Sequence, residues 1–279
     1  VRRQRQMCIR DSHHAGKDDL QGADAEMRGV LFDGVVQGLS ETAEEGEKMR
    51  GMDSYISVDL ETTGLNPKTD KIIEIGAVRV ENGQVTGEFS RFVNPGRALP
   101  EQITELTGIV QEQVLGAETV GTVLGEFLEF AGELPLLGHR ILFDYSFLKR
   151  AAVNAGKPFE RKGVDTLKLS RQYLAELPSR RLSDLCAHFG IPITAHRALE
   201  DARAAHFLYQ ELCARFFEEK SFAPVPLLYK VKKEGPASPR QKERLRRLLE
   251  EKGHLIPLMG THFKEAGRGW FRLNMGTSG

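Results

Sequence analysis

Tyr55 to Pro67 reads YISVDLETTGLNP, a segment that combines a predicted strand, two acids and a turn. The first six residues are rich in β-branched and aromatic side chains, which predicts a strand, and the TTG and NP that follow predict the turn that ends it. Asp59 and Glu61 are two residues apart, so their side chains point to the same face of that strand. They are either exposed acids on a half-buried strand or a pair whose repulsion a divalent cation offsets.

Around this stretch, strand and helix patterns alternate along the chain, which is typical of an α/β domain. Further strands are predicted at 72–80, 85–93 and 134–138 and near Val164, and Asn82-Gly83 marks a hairpin between the first two of these. Apolar residues at helical spacing predict helices at 101–106, 120–131, 143–155, 166–177, 182–189 and 198–217.

Two later segments carry further acids. Asp144, in GHRILFDYSFL, stands near the start of a helix that follows a buried strand. It is either an acid that suits a helix N-terminus or a third carboxylate aimed at the strand ends, where sites form in open α/β sheets. His196 and Asp201, in HRALEDA, lie across a loop-to-helix junction. Taken alone, the histidine is a capping or core residue and the acid a surface one.

Four segments, VDLETTGLNP, FVNPGRALP…LTGI, LGHRILFDYSFL and HRALEDA, occur together in one order and spacing. From about residue 55 to 212 the chain therefore resembles the DEDDh (DnaQ-like) 3′–5′ exonuclease superfamily, most of all the proofreading epsilon subunit of DNA polymerase III and the PolC-type exonuclease domain. The resemblance implies an α/β, RNase H-like exonuclease fold with a mixed five-stranded sheet flanked by helices. A small basic helical appendage would follow at the C-terminus.

The resemblance also implies a set of catalytic residues. Asp59, Glu61, Asp144 and Asp201 would hold two Mg²⁺ or Mn²⁺ ions, and His196 would be the general base. This set is chemically reasonable, because Mg²⁺ prefers oxygen ligands and two such ions can clamp an in-line displacement at phosphorus. An imidazole, with its unperturbed pKa of about 6.5, is suited to take a proton from water.

Three positions bear on the substrate. The resemblance implies that Thr63 and Leu65 line the 3′-terminal nucleotide, with Leu65 against its base. Arg140 departs from the superfamily, in which asparagine is common at this place in the motif H-N-x-x-F-D. We expect Arg140 to meet a phosphate or to pair with an acid. The departure affects the fine geometry of substrate binding and leaves Asp144 and the reaction class unchanged.

Other polar or apolar residues in these segments have structural interpretations. Asp165 is expected to cap the helix that begins at Thr166, and Phe147 to belong to the core. Glu74 alternates within the second strand, so we expect it to point to solvent or to a hairpin partner. Cys186 and Cys213 lie among apolar helical positions and are expected in the core.

Length and composition exclude several classes of protein. The chain has 279 residues, of which 40% are hydrophobic and 28% charged. It can therefore form a stable core without disulfide bonds or structural metal ions. Its three cysteines are widely spaced with no CxxC pair, which argues against a disulfide framework and a structural zinc site. No apolar run approaches the roughly 20 residues of a membrane span, and no secretory signal is visible. We expect a bacterial cytoplasmic protein without a membrane partner.

The charges are unevenly distributed along the chain. Lys and Arg number 39 and Asp and Glu number 39, but residues 221–279 carry twelve basic and five acidic residues. The last fifth is therefore basic and the preceding part acidic. We predict three regions: a leader that is non-native or disordered (1–51), an exonuclease domain (52–220), and a basic linker and helix (221–279). Within the last, Ser238-Pro239 predicts a helix start after an extended linker at 223–226.

The leader has an unusual composition. Residues 2–11, RRQRQMCIRD, look like a translated sequencing adapter, so residues 1–12 are interpreted as a scar outside the fold. The run EEGEKM before Met49 requires purine-rich codons, like those of a bacterial ribosome-binding site. We hypothesise that natural translation starts at Met49 or Met52.

The predicted function is metal-dependent 3′–5′ hydrolysis of single-stranded DNA ends, with release of nucleoside 5′-monophosphates in proofreading or repair, and with a DNA polymerase as a candidate partner. Two alternatives stay open. One is an exoribonuclease acting on short RNA, because metal clamping acts on phosphate and not on the sugar. The other is a nucleic-acid-binding scaffold whose site is inactive.

Overall fold

The computed structural model describes residues 51–193, 196–233, 235 and 238–251. The predicted adapter scar, the hypothesised start at Met49 and everything after residue 251 lie outside these ranges. The strands are β1 (Tyr55–Thr62), β2 (Ile72–Glu81), β3 (Gln84–Phe92), β4 (Leu136–Gly138), β5 (Lys162–Asp165) and β6 (Val225–Pro226). The helices are α1 (Glu101–Thr107), α2 (Gln111–Leu115), α3 (Val120–Ala131), α4 (Leu142–Asn154), α5 (Thr166–Tyr173), α6 (Leu182–Phe189), α7 (Ala198–Phe216), α8 (Glu219–Phe222) and α9 (Pro239–Glu251).

The strands form one mixed sheet in the order β3-β2-β1-β4-β5-β6. β1, β2 and β3 are an antiparallel meander, while β4 pairs parallel to β1 and β5 parallel to β4. A helix connects β4 to β5, as a parallel crossover requires. The predicted α/β fold with a mixed sheet flanked by helices is therefore confirmed.

Alternation along β1 divides the interior into two layers. Ile56, Val58 and Leu60 enter an apolar cluster with α3 and α4 on one side of the sheet. Tyr55 enters a second cluster with α5, α6 and α7 on the other side. Because side chains alternate along a strand, Asp59 and Glu61 belong to the face that α7 covers. The sheet thus presents the predicted acid pair to the helix that carries Asp201.

The structure adds elements that periodicity did not predict. A sixth, two-residue strand pairs Val225 with Gly163 at the edge of the sheet, inside the segment expected to be an extended linker. α2 and α8 have five and four residues, too short to produce a helical pattern in the sequence. The remaining differences are shifts in the ends of helices and strands, such as α5 ending at Tyr173 rather than 177.

Residues just after α7 belong to the packed domain. Phe222 is buried with the α7 cluster, and Leu227 is buried with the cluster on the opposite face of the sheet. The predicted helix that begins with Pro239 is observed as α9. Within the described ranges, no helix combines the length and the apolar character that crossing a membrane requires.

Candidate active site

The acid pair stands at the end of β1. Asp59 and Glu61 are both partly buried, and the pairing of β1 with β2 is interrupted by a bulge between Glu61 and Thr62. Bulges at such a position turn the strand and re-aim its side chains. The strand therefore ends just where its second acid faces α7.

Asp144 joins this pair from α4. It lies in the first turn of the helix, is 2% exposed, and its Oδ1 accepts a hydrogen bond of 3.1 Å from the backbone N–H of Leu60. Leu60 is the residue between Asp59 and Glu61. This bond therefore holds the third carboxylate against the backbone of the first two.

His196 and Asp201 complete the group from the start of α7. The backbone N–H of His196 donates to Oδ2 of Asp201 at 3.1 Å, and His196 has a positive φ of 68°. Potential ligand atoms of Glu61, His196 and Asp201 all lie within 4.8 Å of one another. The structure thus brings together the histidine and the acids from three distant segments.

Burial, and at Asp59 and Glu61 also repulsion from the neighbouring acids, raises the pKa values of this group. Burial is the largest cause at Glu61, whose pKa rises to about 8, and repulsion from Asp201 and Glu74 adds to it. Burial and then Asp144 raise the pKa of Asp59 well above its usual value. Burial also raises the pKa of Asp144, and that of Asp201 to about 6. Desolvation lowers the pKa of His196, which favours the neutral imidazole.

The donor set suits divalent cations. Among the described residues, no Lys or Arg forms a salt bridge with Asp59, Glu61, Asp144 or Asp201. Carboxylates held close together without a salt-bridge partner need another source of positive charge. Oxygen ligands of this kind match the preference of Mg²⁺ and Mn²⁺. The residues present therefore fit the ions that the sequence predicts.

The two predicted substrate residues differ in their surroundings. Thr63 is buried, and its hydroxyl oxygen accepts the backbone N–H of Lys71 at 2.9 Å, which closes the loop after β1. Leu65 is 48% exposed on the same loop. An exposed apolar side chain beside the acids is available to a base, whereas the Thr63 hydroxyl already has a structural partner. Both assignments stay predictions.

Arg140 lies at the end of β4 in a left-handed conformation, with φ of 73°. Its backbone N–H donates to Oδ1 of Asp165 at 2.9 Å, and the same oxygen accepts the N–H of Leu167, so Asp165 is the expected cap of α5. The Arg140 guanidinium lies 5.8 Å from the centroid of the Phe143 ring, and its charge offsets part of the rise that burial causes in the pKa of Asp144. It is exposed and stands near the acids.

Glu74 is the residue that the sequence interpretation placed wrongly. It is 1% exposed rather than turned to solvent, and it lies directly opposite Glu61 in the antiparallel pairing. Arg197 and the N-terminus of α7 contact it there. The signal available in the sequence was an acid within a run, 72–78, whose other residues are all apolar. Phe147, Cys186 and Cys213 are buried as expected.

Comparison with known sequences identifies the relatives of this chain. The family model described as RNase T exonuclease matches residues 56–209. A DNA polymerase III subunit epsilon from Aquifex aeolicus is 36% identical over 171 residues, which cover 61% of this chain and 83% of that protein. A PolC-type DNA polymerase III from Clostridium perfringens is 41% identical over 153 residues, 54% of this chain. The chain spans only 11% to 15% of the length of four such PolC-type relatives.

Solved structures share the fold at low sequence identity. The nuclease domain of 3′hExo, a DEDDh family member bound to rAMP, aligns with a TM-score of 0.52 and 20% identity, covering 62% of this chain and 96% of that one. E. coli ExoI in complex with single-stranded DNA aligns with a TM-score of 0.54 and 19% identity, covering 59% and 41%. At these identities the likeness concerns the fold.

Proposed function

Because the chain belongs to the DEDDh (DnaQ-like) superfamily of hydrolytic 3′–5′ exonucleases, we propose that it removes nucleotides one at a time from the 3′ ends of single-stranded DNA. The products are nucleoside 5′-monophosphates. The observation that carries this proposal is the convergence of Glu61, His196 and Asp201 within 4.8 Å, next to Asp59 and the anchored Asp144.

The superfamily depends on divalent metal, and this chain has the ligands for it. Asp59, Glu61, Asp144 and Asp201 would hold two Mg²⁺ or Mn²⁺ ions. When bound, such ions supply Lewis-acid stabilisation of the attacking and leaving oxygens. The acids also repel an anionic phosphodiester when they are not neutralised, so the same four residues make substrate binding depend on the cation.

His196 acts as the general base. Hydrolysis forms a bond between a water oxygen and phosphorus and breaks the bond between phosphorus and the 3′ oxygen of the preceding nucleotide. The neutral imidazole of His196 accepts the proton that this water loses. Asp201 accepts the backbone N–H of His196 at 3.1 Å and so orients the loop that carries the imidazole.

Three residues around the acids shape the substrate site. Leu65 packs against the 3′-terminal base through its exposed apolar side chain, and Thr63 shapes the loop beneath it. Arg140 meets a backbone phosphate, because its side chain is exposed and its charge acts on Asp144. DNA is favoured as the substrate because the relatives that share 36% and 41% identity are DNA polymerase III proteins.

The cellular role that fits these relatives is proofreading or repair in the bacterial cytoplasm, with a DNA polymerase as partner. The basic C-terminal segment, 221–279, would extend the path of the nucleic-acid backbone beyond the acidic domain. The exonuclease domain, proposed as 52–220, would supply the active site.

The test is a paired nuclease assay on the full chain. Single-stranded DNA and RNA of one sequence, labelled at the 5′ end, are incubated with Mg²⁺, Mn²⁺ or EDTA. Asp201→Asn is the inactive variant and Asp53→Asn is the matched control, because Asp53 is an exposed acid at the opposite end of β1. We expect a ladder that shortens from the 3′ end of DNA, disappears with EDTA and with Asp201→Asn, and persists with Asp53→Asn.

Other outcomes would change the proposal. Faster shortening of RNA than of DNA would assign the exoribonuclease activity instead. The absence of any ladder on both strands with both metals would reject hydrolysis by this chain and favour the scaffold.

A further inference from the structure

A buried acid on β2 faces the active site without belonging to it. Glu74 lies opposite Glu61 in the register of β1 and β2 and is 1% exposed. Like charges directly opposite in a sheet destabilise it, and a buried carboxylate needs both a counter-charge and hydrogen bonds. The neighbours of Glu74 must therefore supply a counter-charge and hydrogen bonds to its carboxylate.

Arg197 and α7 supply that compensation together. Nη2 of Arg197 donates to Oε1 of Glu74 at 3.0 Å, and its Nε lies 3.3 and 3.4 Å from the two carboxylate oxygens. The backbone N–H of Ala198, the first residue of α7, donates to Oε2 at 3.2 Å. Residue 197 gives α7 no side-chain cap of its own. Glu74 thus acts as an N-cap supplied from a neighbouring strand.

Gly76 brings the helix close enough for this contact. It is two residues beyond Glu74 on the same face, and it pairs with Asp59. A Cβ at position 76 would lie 2.1 Å from the carbonyl carbon of Ala198 and 2.1 Å from the nitrogen of Leu199. The first turn of α7 therefore rests directly on the backbone of β2, where a side chain would prevent the approach.

The anchored residue lies between two active-site residues. His196 is two residues before Ala198 and has a left-handed backbone, while Asp201 is three residues after it. Fixing Ala198 and Arg197 on β2 therefore fixes both ends of the segment that faces Asp59 and Glu61. A conformation with positive φ persists in a non-glycine residue only where its surroundings hold it.

We propose that Glu74 and Arg197 form a positioning clamp, which sets the orientation of His196 and Asp201 against the acids of β1 without touching the substrate. The clamp rests on the proposed exonuclease function. In this clamp, Glu74 holds the first turn of α7 in place, and Arg197 fixes the backbone next to His196.

The molecule contains a matched control for this clamp. Arg203, also on α7, forms a salt bridge with Glu88 on β3, so it too ties the helix to the sheet. The Glu88 side chain is 38% exposed, and it lies toward the sheet edge, away from the acids. Glu88→Gln removes a helix-to-sheet ion pair and leaves Arg203 its second bond, from Nη1 to Oε1 of Glu200 at 2.7 Å.

The experiment compares Glu74→Gln with Glu88→Gln in the full chain. We expect Glu74→Gln to lower kcat about 10- to 100-fold, the range for residues that orient catalytic groups, while KM for the oligonucleotide changes less than about threefold. Glu88→Gln keeps kcat within about twofold. Amide hydrogen exchange followed by mass spectrometry is measured on both, and residues 196–201 should exchange faster only in Glu74→Gln.

Several results would overturn the clamp. They are a kcat within twofold of the unsubstituted protein for Glu74→Gln, an equal loss in Glu88→Gln, or unchanged exchange at 196–201. If Glu74→Gln does not fold, Arg197→Gln and Arg197→Lys decide, because that side chain is 45% exposed. We then expect a loss with glutamine that lysine partly restores. If the unsubstituted chain hydrolyses no 3′ end, the proposed function fails, and hydrogen exchange alone judges the clamp.

Discussion

β1 and α7 lie side by side, and the two ends of this pair treat polar groups in opposite ways. At one end, the Tyr55 hydroxyl and Nδ1 of His206 share a hydrogen bond of 2.8 Å and both residues are buried. At the other end, Glu61 faces His196 and Asp201 with potential ligand atoms within 4.8 Å. The first end contains neutral groups that satisfy each other, and the second contains acids that do not.

The neutral end of this pair of elements therefore contributes to stability, and the acidic end to the proposed function. Ser57, between them, donates its hydroxyl to the carbonyl of Ala202 at 2.7 Å, so the helix is fixed to the strand along its length. Burial lowers the pKa of His206 to about 4, which keeps it neutral, and raises the pKa of Glu61 to about 8. Within this pair, the unfavourable charge therefore lies at the end that we propose as the cation site.

The largest effect is expected from removing one acid at the charged end. Glu61→Gln should lower exonuclease activity about 10³-fold or more, because a lost ligand removes several kcal/mol of transition-state stabilisation. In EDTA the same variant should raise the free energy of unfolding by about 1 kcal/mol, since the repulsion among the acids falls. Nuclease assays with Mg²⁺ and calorimetry in EDTA measure both effects. A metal-free variant less stable than the unsubstituted protein would contradict the comparison.

The neutral end should respond to acid. The folded pKa of His206 is below its unfolded value of 6.5, so the unfolded chain takes up the proton first as the pH falls. Its stabilising contribution is present above pH 6.5 and is lost toward pH 4, at a cost of about 3 kcal/mol. Urea unfolding at several pH values should show this loss, and His206→Gln should remove it. If the free energy of unfolding had the same pH dependence in both proteins, His206 would not be the group responsible for the loss.

The packing of α7 on the sheet can be tested through Gly76 of β2, the residue paired with Asp59 of β1. Gly76→Ala should destabilise the protein by about 1–3 kcal/mol, because the methyl group meets the backbone of α7 and neither side can rotate away. The control is Gly121→Ala on α3, where the nearest atom to a Cβ is 3.7 Å away. The control should gain up to about 1 kcal/mol from helix propensity. Thermal unfolding of both variants gives the comparison, and equal stability would argue against the close approach.

The smallest effect is expected outside the pair, in the basic C-terminal segment. Because Phe222 and Leu227 are buried in the domain, a truncation that leaves the core intact ends after residue 233. Removing residues 234–279 should weaken DNA binding about three- to tenfold and flatten its dependence on salt. Binding to a labelled oligonucleotide across a salt series measures this effect. An unchanged salt slope would assign the DNA affinity to the acidic end of β1 and α7 with its cations alone.

Periodicity predicted the regular parts of this molecule well. Helices α3 and α6 begin and end at the predicted residues, and alternation placed Asp59 and Glu61 on one face. The short elements α2, α8 and β6 did not emerge, because a helical or alternating pattern needs more residues than they contain. The resemblance carried by four segments in order, and no single motif, indicated that Glu61, His196 and Asp201 meet.

Glu74 shows why one part of the site was not predictable from the sequence. Alternation along β2 gives the two faces of the strand but does not say which helix covers each face. Only the folded chain brings Arg197, 123 residues away in sequence, onto that carboxylate. Thr63 is similar, because its hydroxyl is engaged by the backbone of Lys71 across a loop whose closure no local pattern encodes.

The contact between Gly76 and α7 also restricts how the sequence can evolve. Every amino acid other than glycine has a Cβ atom. At position 76 that atom would overlap the backbone of α7, which cannot move aside as a flexible side chain could. In descendants of this sequence, most core residues can be replaced by others of similar volume. Gly76 cannot, because every replacement adds a side chain where α7 leaves no room. Substitution there would first require α7 to move away from the sheet, and Asp201 would move with it.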